Sequence, residues 1–261
     1  MSRTENGSKT IRSVENAFRI LEELRHREQA GVTELAEAVG LSKATVHHYL
    51  ATLYEQDFVE RSESGYRLGL RPLSYGGIAR EREKVFQIGK ESVDRLANET
   101  GETARLVVER RRYCITIYQS TRRRDGVHTH LGTQEHLHST AAGKAMLSAM
   151  DDDRIARIIT GRELPRHTEN TITSTEELRS EIGTIRSSGI AFDDREQFDD
   201  VRCVATALVT EDDGLLGAIS VNGPIGRIND RAFHEEIPQQ LRNTAGVIES
   251  DATYLDWMER D

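Results

Sequence analysis

The sequence has few cysteines, few lysines and no long apolar run, and each shortage excludes a class of protein. Cys114 and Cys203 are its two cysteines, too few for a disulfide scaffold and not in any metal-ligand spacing. No stretch approaches the roughly 18 apolar residues that a membrane-spanning helix needs. The beginning, MSRTENGSKTIRS, is polar throughout. We therefore expect a cytoplasmic protein in a reduced compartment.

Lysine occurs only at positions 9, 43, 84, 90 and 144, so the basic residues are almost all arginine. Acidic residues outnumber basic ones by 44 to 35 in a chain of 261 residues. Such a composition suggests a cytoplasm of high salt, although ordinary acidic proteins share it. An acidic chain is also a poor candidate for nucleic-acid binding, because lysine and arginine on phosphates supply most of the free energy of DNA binding.

Three helices and a hairpin are predicted near the beginning of the chain. Apolar residues recur at helical spacing in SVENAFRILEELRH, VTELAEAVG and LSKATVHHYLATLYEQ. Thr33 and Ser42 are candidate N-caps, and Gly40 ends the second helix. The segments DFVER and YRLGL flank SESG, which is typical of a hairpin. These are the parts of a winged helix-turn-helix, a module also found in proteins that do not bind DNA.

The third helix is free of acidic residues from Leu41 to Tyr54. Residues 1–75 carry 10 basic and 11 acidic residues, a net charge of −1, whereas residues 76–261 carry 25 and 33, a net charge of −8. The negative charge is thus displaced from this helix, which favours a DNA-contacting role over a merely solvated face. The predicted DNA-binding residues are Ser42, Lys43, Thr45, His47 and His48 on the helix and Arg61 and Arg67 on the wing.

The remainder of the chain predicts an α+β domain. Residues 71–100 have a helical pattern, with a bend expected at Gly76 and Gly77. Strand-like segments follow in ARLVVERRRYCITIYQS, RCVATALVT and LLGAISVNG, with helical segments between and after them. This mixture predicts an antiparallel sheet covered by helices.

The stretch HLHSTAAGKAML admits three interpretations. A phosphate loop requires a glycine where His138 stands and Ser or Thr where Ala145 stands, so that interpretation fails. A metal site could use the two pairs His128 with His130 and His136 with His138, but no cysteine joins them in a zinc spacing. We favour a helix capped by Ser139 or Thr140, whose small first residues leave backbone N–H groups accessible to an anion.

Two further features could carry chemistry. Cys203 stands in a strand-like segment without a neighbouring histidine base, as do most buried, inert cysteines. The acidic residues Asp193, Asp194, Glu196, Asp199 and Asp200 form a loop that is more typical of a solvated or cation-attracting segment than of an acid/base pair.

Six ordered segments together resemble the IclR family of transcriptional regulators. They are SVENAFRILEELRH, VTELAEAVGLSKATVHHYLATL, YRLGLRPL, LHSTAAGKAMLSAM, VRCVATALV and GAISVNGP. The resemblance covers nearly the whole chain. It implies a winged helix-turn-helix at residues 1–70, a linker helix at 71–84 and a GAF-like α/β effector-binding and oligomerisation domain with an antiparallel sheet at 85–261.

The resemblance also implies partners and site residues. They are a double-stranded DNA operator, a homodimer or dimer of dimers, and a small-molecule effector, with no membrane, metal, cofactor or catalytic residue. The implied effector-binding residues are Ala142, Gly143, Asp193, Cys203 and Ser220. An organic acid is the expected effector, because the start of the helix that follows Leu137 and His138 offers backbone N–H donors. Two alternatives remain: an enzyme using Cys203 or a histidine-bound metal, and a regulator whose second domain serves only to oligomerise.

Overall fold

A computed structural model describes residues 9–123, 129–160 and 163–259. The chain divides into two units, Met1–Ala79 and Arg80–Asp261. No described helix is long and apolar enough to cross a membrane.

The first unit is a winged helix-turn-helix, as the sequence predicts. Its elements are α1 (Arg12–His26), α2 (Val32–Val39), α3 (Lys43–Glu55), β1 (Val59–Ser62), β2 (Gly65–Leu68) and α4 (Arg71–Glu81). Strands β1 and β2 pair antiparallel to form the wing. One core joins the three helices to the wing, with Ile20, Leu35 and Leu50 fully buried in it. The apolar stripes predicted for α2 and α3 are buried in this core. The stripe predicted for α1 is wrong in part, because Val14 and Phe18 are exposed and Ile20 takes their place in the core.

The ends of α2 and α3 set the helix-turn-helix geometry. Gly40 follows α2 with φ 65°, a left-handed conformation that glycine adopts without steric cost. Ser42 caps α3, because its Oγ accepts a hydrogen bond from the backbone N–H of Thr45. The predicted Thr33 cap is wrong: α2 begins one residue after Gly31, whose N–H donates to the carboxylate of Glu34.

Helix α4 continues through Gly76 and Gly77, so the helix is not interrupted at the two glycines. The interruption falls instead at residues 82–83, before α5 begins at Lys84. The two glycines cost helix stability but remain helical within a continuous element. The boundary between the two units lies inside α4, after Ala79.

The second unit is built on one six-stranded antiparallel sheet. Its elements in chain order are α5 (Lys84–Thr100), β3 (Thr103–Arg110), β4 (Tyr113–Ser120), β5 (Gln134–His136), α6 (Ala141–Ser148), α7 (Asp152–Ile159), α8 (Thr175–Ser188), β6 (Ala191–Asp194), β7 (Val201–Thr210), β8 (Gly214–Pro224), a π-helical turn (Ala232–Glu236) and α9 (Ile237–Glu259). The strand order is β5-β4-β3-β8-β7-β6. The predicted α+β class with an antiparallel sheet is confirmed.

Helices cover both faces of the sheet. Side chains of α5 and α9 pack with Leu106 and Ile219 on one face, and side chains of α6, α7 and α8 pack with Ala205 and Ala218 on the other. Successive residues of a strand point to opposite faces. The polar residues Ser220 and Asn222 therefore follow Ala218 on the α6 side of β8.

Candidate functional site

A small cavity lies in the second unit on the α6 side of the sheet. Its free volume is about 10 Å³, room for about one water molecule and far less than is typical of sites for drug-sized ligands. Five strands and the N-cap of α6 contribute to it. Its lining residues are Arg105, Thr129, Glu135, Thr140, Asp193, Gln197, Phe198, Val201, Cys203 and Asn222.

Several buried polar atoms in and beside this cavity have no hydrogen-bond partner within the described part of the chain. They are Nε of Arg105, Oε1 of Glu135, Oγ of Ser220 and Oδ1 of Asn222. Buried polar groups in folded proteins are normally paired with protein or with water. These unpaired donors and acceptors therefore require a partner that the described residues do not supply, such as water or a small polar ligand.

Asp193 lines the cavity and is buried. Its Oδ1 accepts hydrogen bonds from the backbone N–H of Glu196 at 2.7 Å and of Gln197 at 3.4 Å. Burial, reinforced by the nearby carboxylate of Glu196, raises the pKa of Asp193 to about 8. The carboxyl group is therefore largely protonated at neutral pH, and this loop residue is not the solvated acid that its sequence suggests.

Glu196, in the same loop, is buried against a lysine. Nζ of Lys144 on α6 is 2.5 Å from Oε1 of Glu196 and 3.3 Å from Oε1 of Glu181. Lys144 is only 1% exposed. The ion pair joins α6 to the loop before β7, so two of the five predicted loop acids, Asp193 and Glu196, are buried and not solvated.

Of the other predicted effector-binding residues, Cys203 lines the cavity and Ser220 lies beside it. Ser220 is paired across the sheet with Arg105 on one neighbouring strand and with Ala205 on the other, so it shares their face. Ala142 lies buried in the first turn of α6, whose N-cap Thr140 reaches the cavity.

Gly143 does not have the role expected from the sequence. Its backbone N–H, which we expected to be open to an anion, donates to Oγ1 of Thr140 at 3.1 Å. A methyl group on its Cα would lie 2.3 Å from the carbonyl oxygen of Leu137. Glycine is required here because the helix start packs directly on the backbone of Leu137.

Three histidines meet outside the cavity. His136 Nδ1 is 3.2 Å from His167 Nε2, and His138 Nε2 is 3.0 Å from the carbonyl oxygen of Pro165. Burial lowers the pKa of His138 to about 4. His130 is exposed, and His128 lies outside the described residues. Within the ranges that the structure describes, no group of three ligand side chains is arranged to hold a metal.

The thiol of Cys203 is unsuited to nucleophilic catalysis. Burial raises its pKa to about 12, whereas a nucleophilic cysteine reacts as the thiolate. Its nearest polar contact is a guanidinium nitrogen of Arg105 at 3.9 Å. The geometry gives the enzyme alternative no support.

The predicted DNA-binding residues of α3 form one surface at its N-terminal end. Ser42, Lys43, His47 and His48 are exposed, while Thr45 is half-buried. The hydroxyl groups of Ser42 and Thr45 are 2.8 Å apart. The hydroxyl groups are thus partly engaged with each other, and the lysine and histidines provide the freely projecting groups.

The two wing arginines are exposed but already have partners in the first unit. Arg67 forms an ion pair of 2.8 Å with Glu60, its cross-strand neighbour. The guanidinium carbon of Arg61 lies 5.3 Å from the ring centroid of Tyr54. A phosphate would have to compete with the carboxylate at Arg67, whereas the stacking at Arg61 leaves its charge available.

The sequence analysis missed the charged residues of the cavity, chiefly Arg105 and Glu135. Arg105 lies within the apolar strand segment ARLVVER, between Ala104 and Leu106. A lone arginine that alternates with apolar residues in a buried strand was a signal, since arginine is rarely fully buried without a partner. Nothing local to Glu135 identified it as that partner.

Comparison with known families explains both units. Residues 79–250 match the family model described as the bacterial transcriptional regulator IclR C-terminal domain. Residues 13–63 match the IclR helix-turn-helix domain. The two matches cover the two structural units in the same order.

Individual relatives agree with the family matches. The chain is 31% identical over 245 residues to a protein of Halobacterium salinarum named "Probable HTH-type transcriptional regulator ArcR", covering 92% of this chain and 93% of that one. The crystal structure of IclR from Thermotoga maritima has a TM-score of 0.77 at 24% identity, covering 93% of this chain and 99% of the other. An IclR homologue of Microbacterium hydrocarbonoxydans, complexed with 4-hydroxybenzoate, has the same TM-score at 18% identity and the same coverage. The chain therefore belongs to the IclR family of transcriptional regulators, and its two units are a helix-turn-helix DNA-binding domain and an IclR effector domain, not an enzyme.

Proposed function

We propose that the protein regulates transcription of metabolic genes by binding an operator through α3 and a small metabolite in the cavity of the second unit. The cavity with its unpaired buried polar atoms is the observation that carries the effector half of this proposal. It supports the proposal over a second domain that serves only to oligomerise, because unpaired buried polar atoms cost stability and a bound ligand would pair them.

The effector that we propose is a small organic acid. Asp193, Cys203 and Ser220 contribute the polar lining, as the family resemblance implies, with Ala142 at the adjacent helix start. Gly143 supports the site by allowing the helix start to pack on Leu137 rather than by donating to the ligand. The related Microbacterium protein complexed with 4-hydroxybenzoate supports an acid as the ligand class.

For the DNA interface we propose that α3 enters the major groove. Helix N-termini in this module meet base edges and phosphates, and this end of α3 carries exposed Lys43, His47 and His48 together with the cap residue Ser42. Thr45 would contact DNA through its hydroxyl group, which is hydrogen-bonded to that of Ser42. Arg61 and Arg67 of the wing would reach the flanking phosphates.

We propose that the active species is a homodimer or a dimer of dimers. Helix α4 has no buried residue in the described structure, and Leu73 and Ile78 are 70% and 56% exposed. On α1, Phe18 is 63% exposed. Exposed apolar side chains grouped on a protein surface are typical of an interaction site. Two copies would place two recognition helices on a pseudo-palindromic operator with half-sites about one helical turn apart.

We further propose a cytoplasmic location with high salt. A protein that binds a DNA operator must be in the compartment that holds the DNA. The ArcR relative comes from a halophile. The lysine-poor, acidic composition is consistent with that environment.

The whole proposal is tested by mapping the DNA that the full chain binds in cells. The mapping is done in cells grown with and without a given organic acid as the carbon source. We expect a pseudo-palindromic motif at the bound sites and a change of occupancy with the carbon source. Sites without a shared motif would contradict operator recognition. A shared motif whose occupancy never responds to the carbon source would contradict the effector half.

A further inference from the structure

Arg105 is a buried cation whose donors are poorly used. It is 5% exposed and lies on β3, facing the cavity. One terminal nitrogen donates to Oγ1 of Thr129 at 2.8 Å, and the other makes only a long contact of 3.9 Å to Sγ of Cys203. Nε has no partner within the described ranges. A guanidinium has five N–H donors, so this one retains donors for a further acceptor.

Glu135 is the matching buried anion and is also incompletely paired. Its Oε2 lies 3.4 Å from Arg105, longer than a normal charge-assisted hydrogen bond. Its Oε1 has no described partner. A buried ion pair compensates for its lost hydration only when further hydrogen bonds satisfy the remaining atoms. The pair therefore offers unused donors on one side and an unused acceptor on the other.

Building on the proposal that this cavity holds the effector, we infer that Arg105 anchors the carboxylate of a small hydroxycarboxylate whose hydroxyl group donates to Glu135. A planar guanidinium matches a carboxylate through two parallel hydrogen bonds. An ionised glutamate can only accept hydrogen bonds, so it selects a ligand with a donor beside the acid group. The cavity has room for about one water molecule in the described structure, so its lining must move apart to admit a ligand, which limits the ligand to a few carbon atoms.

The rest of the cavity tolerates an anion. Asp193 is the other carboxyl group in the lining, and its burial, with the pKa raised to about 8, keeps it largely uncharged at neutral pH. Arg105 then has Glu135 as its ion-pair partner in the lining. The start of α6 is a weaker anchor than Arg105, because the N–H of Gly143 is already bonded to Thr140.

The test uses the full chain and a panel of acids: glycolate, lactate and glycerate, each with its primary amide and its acid lacking the hydroxyl group. Thermal unfolding finds the acids that bind, and calorimetry gives their dissociation constants. We expect at least one hydroxy acid to bind at least tenfold more tightly than its amide and than its deoxy counterpart. If no acid binds, or if an amide binds as well as its acid, the inference is overturned.

Variants then assign the binding to the buried pair. Arg105→Gln alone leaves Glu135 as an unpaired buried charge, so the double variant Arg105→Gln with Glu135→Gln is the better probe. It should lose at least tenfold in affinity for the acid, whereas the exposed control Arg179→Gln should bind as wild type does. Glu135→Gln alone should keep acid binding and lose most of the preference for the hydroxyl group. Binding of the acid by the double variant with wild-type affinity would overturn the inference.

A DNA titration separates this inference from the proposed function. An operator selected by the protein from a random DNA pool is titrated with and without the bound acid. An acid that binds through Arg105 but leaves operator affinity unchanged would contradict the effector function and leave the anchor intact. An acid that changes operator affinity equally in wild type and double variant would contradict the Arg105 anchor and leave the effector function intact.

Discussion

The guanidinium of Arg105 and the carboxylate of Glu135 lie 3.4 Å apart, and the two side chains are 7% and 6% exposed. They come from β3 and β5, which are not neighbours in the sheet, since β4 lies between them. Side chains separated by a strand meet only where both lean over the sheet face, and here they meet at the cavity. This pair gives the effector domain a buried charged site at the cavity.

Asp193→Asn should flatten the pH dependence of stability. The pKa of Asp193 is about 8 in the folded protein and about 4 in an unfolded chain. The folded state therefore binds this proton more tightly, so stability falls as the pH rises from about 4 to about 8, by up to about 1.4 kcal/mol per pH unit. Urea unfolding between pH 5 and 8 should show a smaller decline for the variant than for wild type.

The control for this measurement is Asp199→Asn, which removes an exposed carboxylate from the same loop. It should leave the pH profile of the free energy of unfolding close to that of wild type. Equal slopes for Asp193→Asn and wild type would show that Asp193 is ionised in the folded protein.

Gly143→Ala should destabilise the second unit. The added methyl group would lie 2.3 Å from the carbonyl oxygen of Leu137, which is backbone and cannot rotate away. We expect a loss of about 1–3 kcal/mol, as is typical of overpacking. Gly183→Ala on α8 is the matched control, because nothing lies within 4 Å of its added methyl group. It should stabilise the protein by up to about 1 kcal/mol, and unchanged stability of Gly143→Ala would disprove the close packing.

Lys43→Ala should weaken DNA binding on every sequence and reduce the slope of log affinity against log salt by about one unit. Arg67→Ala should have a smaller effect, because Arg67 is already paired with Glu60. Glu60→Gln should strengthen binding by releasing that arginine. Gel-shift titrations across a KCl series measure all three. If neither Lys43→Ala nor Arg67→Ala changes operator affinity, DNA binds to another face.

The exposed apolar face of α4 should be needed for assembly on DNA. Light scattering of wild type at micromolar concentration and working salt should give at least twice the chain mass of 29.4 kDa. Leu73→Asp should weaken binding to a two-half-site operator, whereas Ser74→Asp, which adds the same charge at the next exposed residue, should not. A monomer in solution, or equal effects of the two variants, would argue against this interface.

Molar salt should stabilise the protein. The sequence carries a net charge of −9, and at 1 M salt the Debye length falls to about 3 Å, which screens repulsion among the excess acids. Thermal unfolding across a KCl series should therefore show a rising midpoint. A midpoint that is already maximal in dilute buffer would remove the high-salt interpretation without affecting the regulatory one.

Local pattern was sufficient for the helices and for the class of the fold. The stripe through Val46, Leu50 and Leu53 predicted the buried face of α3, because helical periodicity alone decides which side chains share a face. The cap at Ser42 and the left-handed Gly40 followed from residue type. The six ordered segments that resemble the family predicted both domains, because each segment is recognised from its own local sequence.

Only the tertiary structure decided the chemistry of the cavity. Alternation along a strand places Arg105 and Leu106 on opposite faces, but it does not say which face holds a cavity or which distant residue lies opposite. Glu135, Asp193 and Asn222 reach Arg105 through strand pairings between segments far apart in sequence. The burial that keeps Asp193 protonated arises in the same way from packing of remote segments. Sequence periodicity determines which side chains of one helix or strand share a face. Which side chains of different elements come into contact depends on the packing of the whole domain.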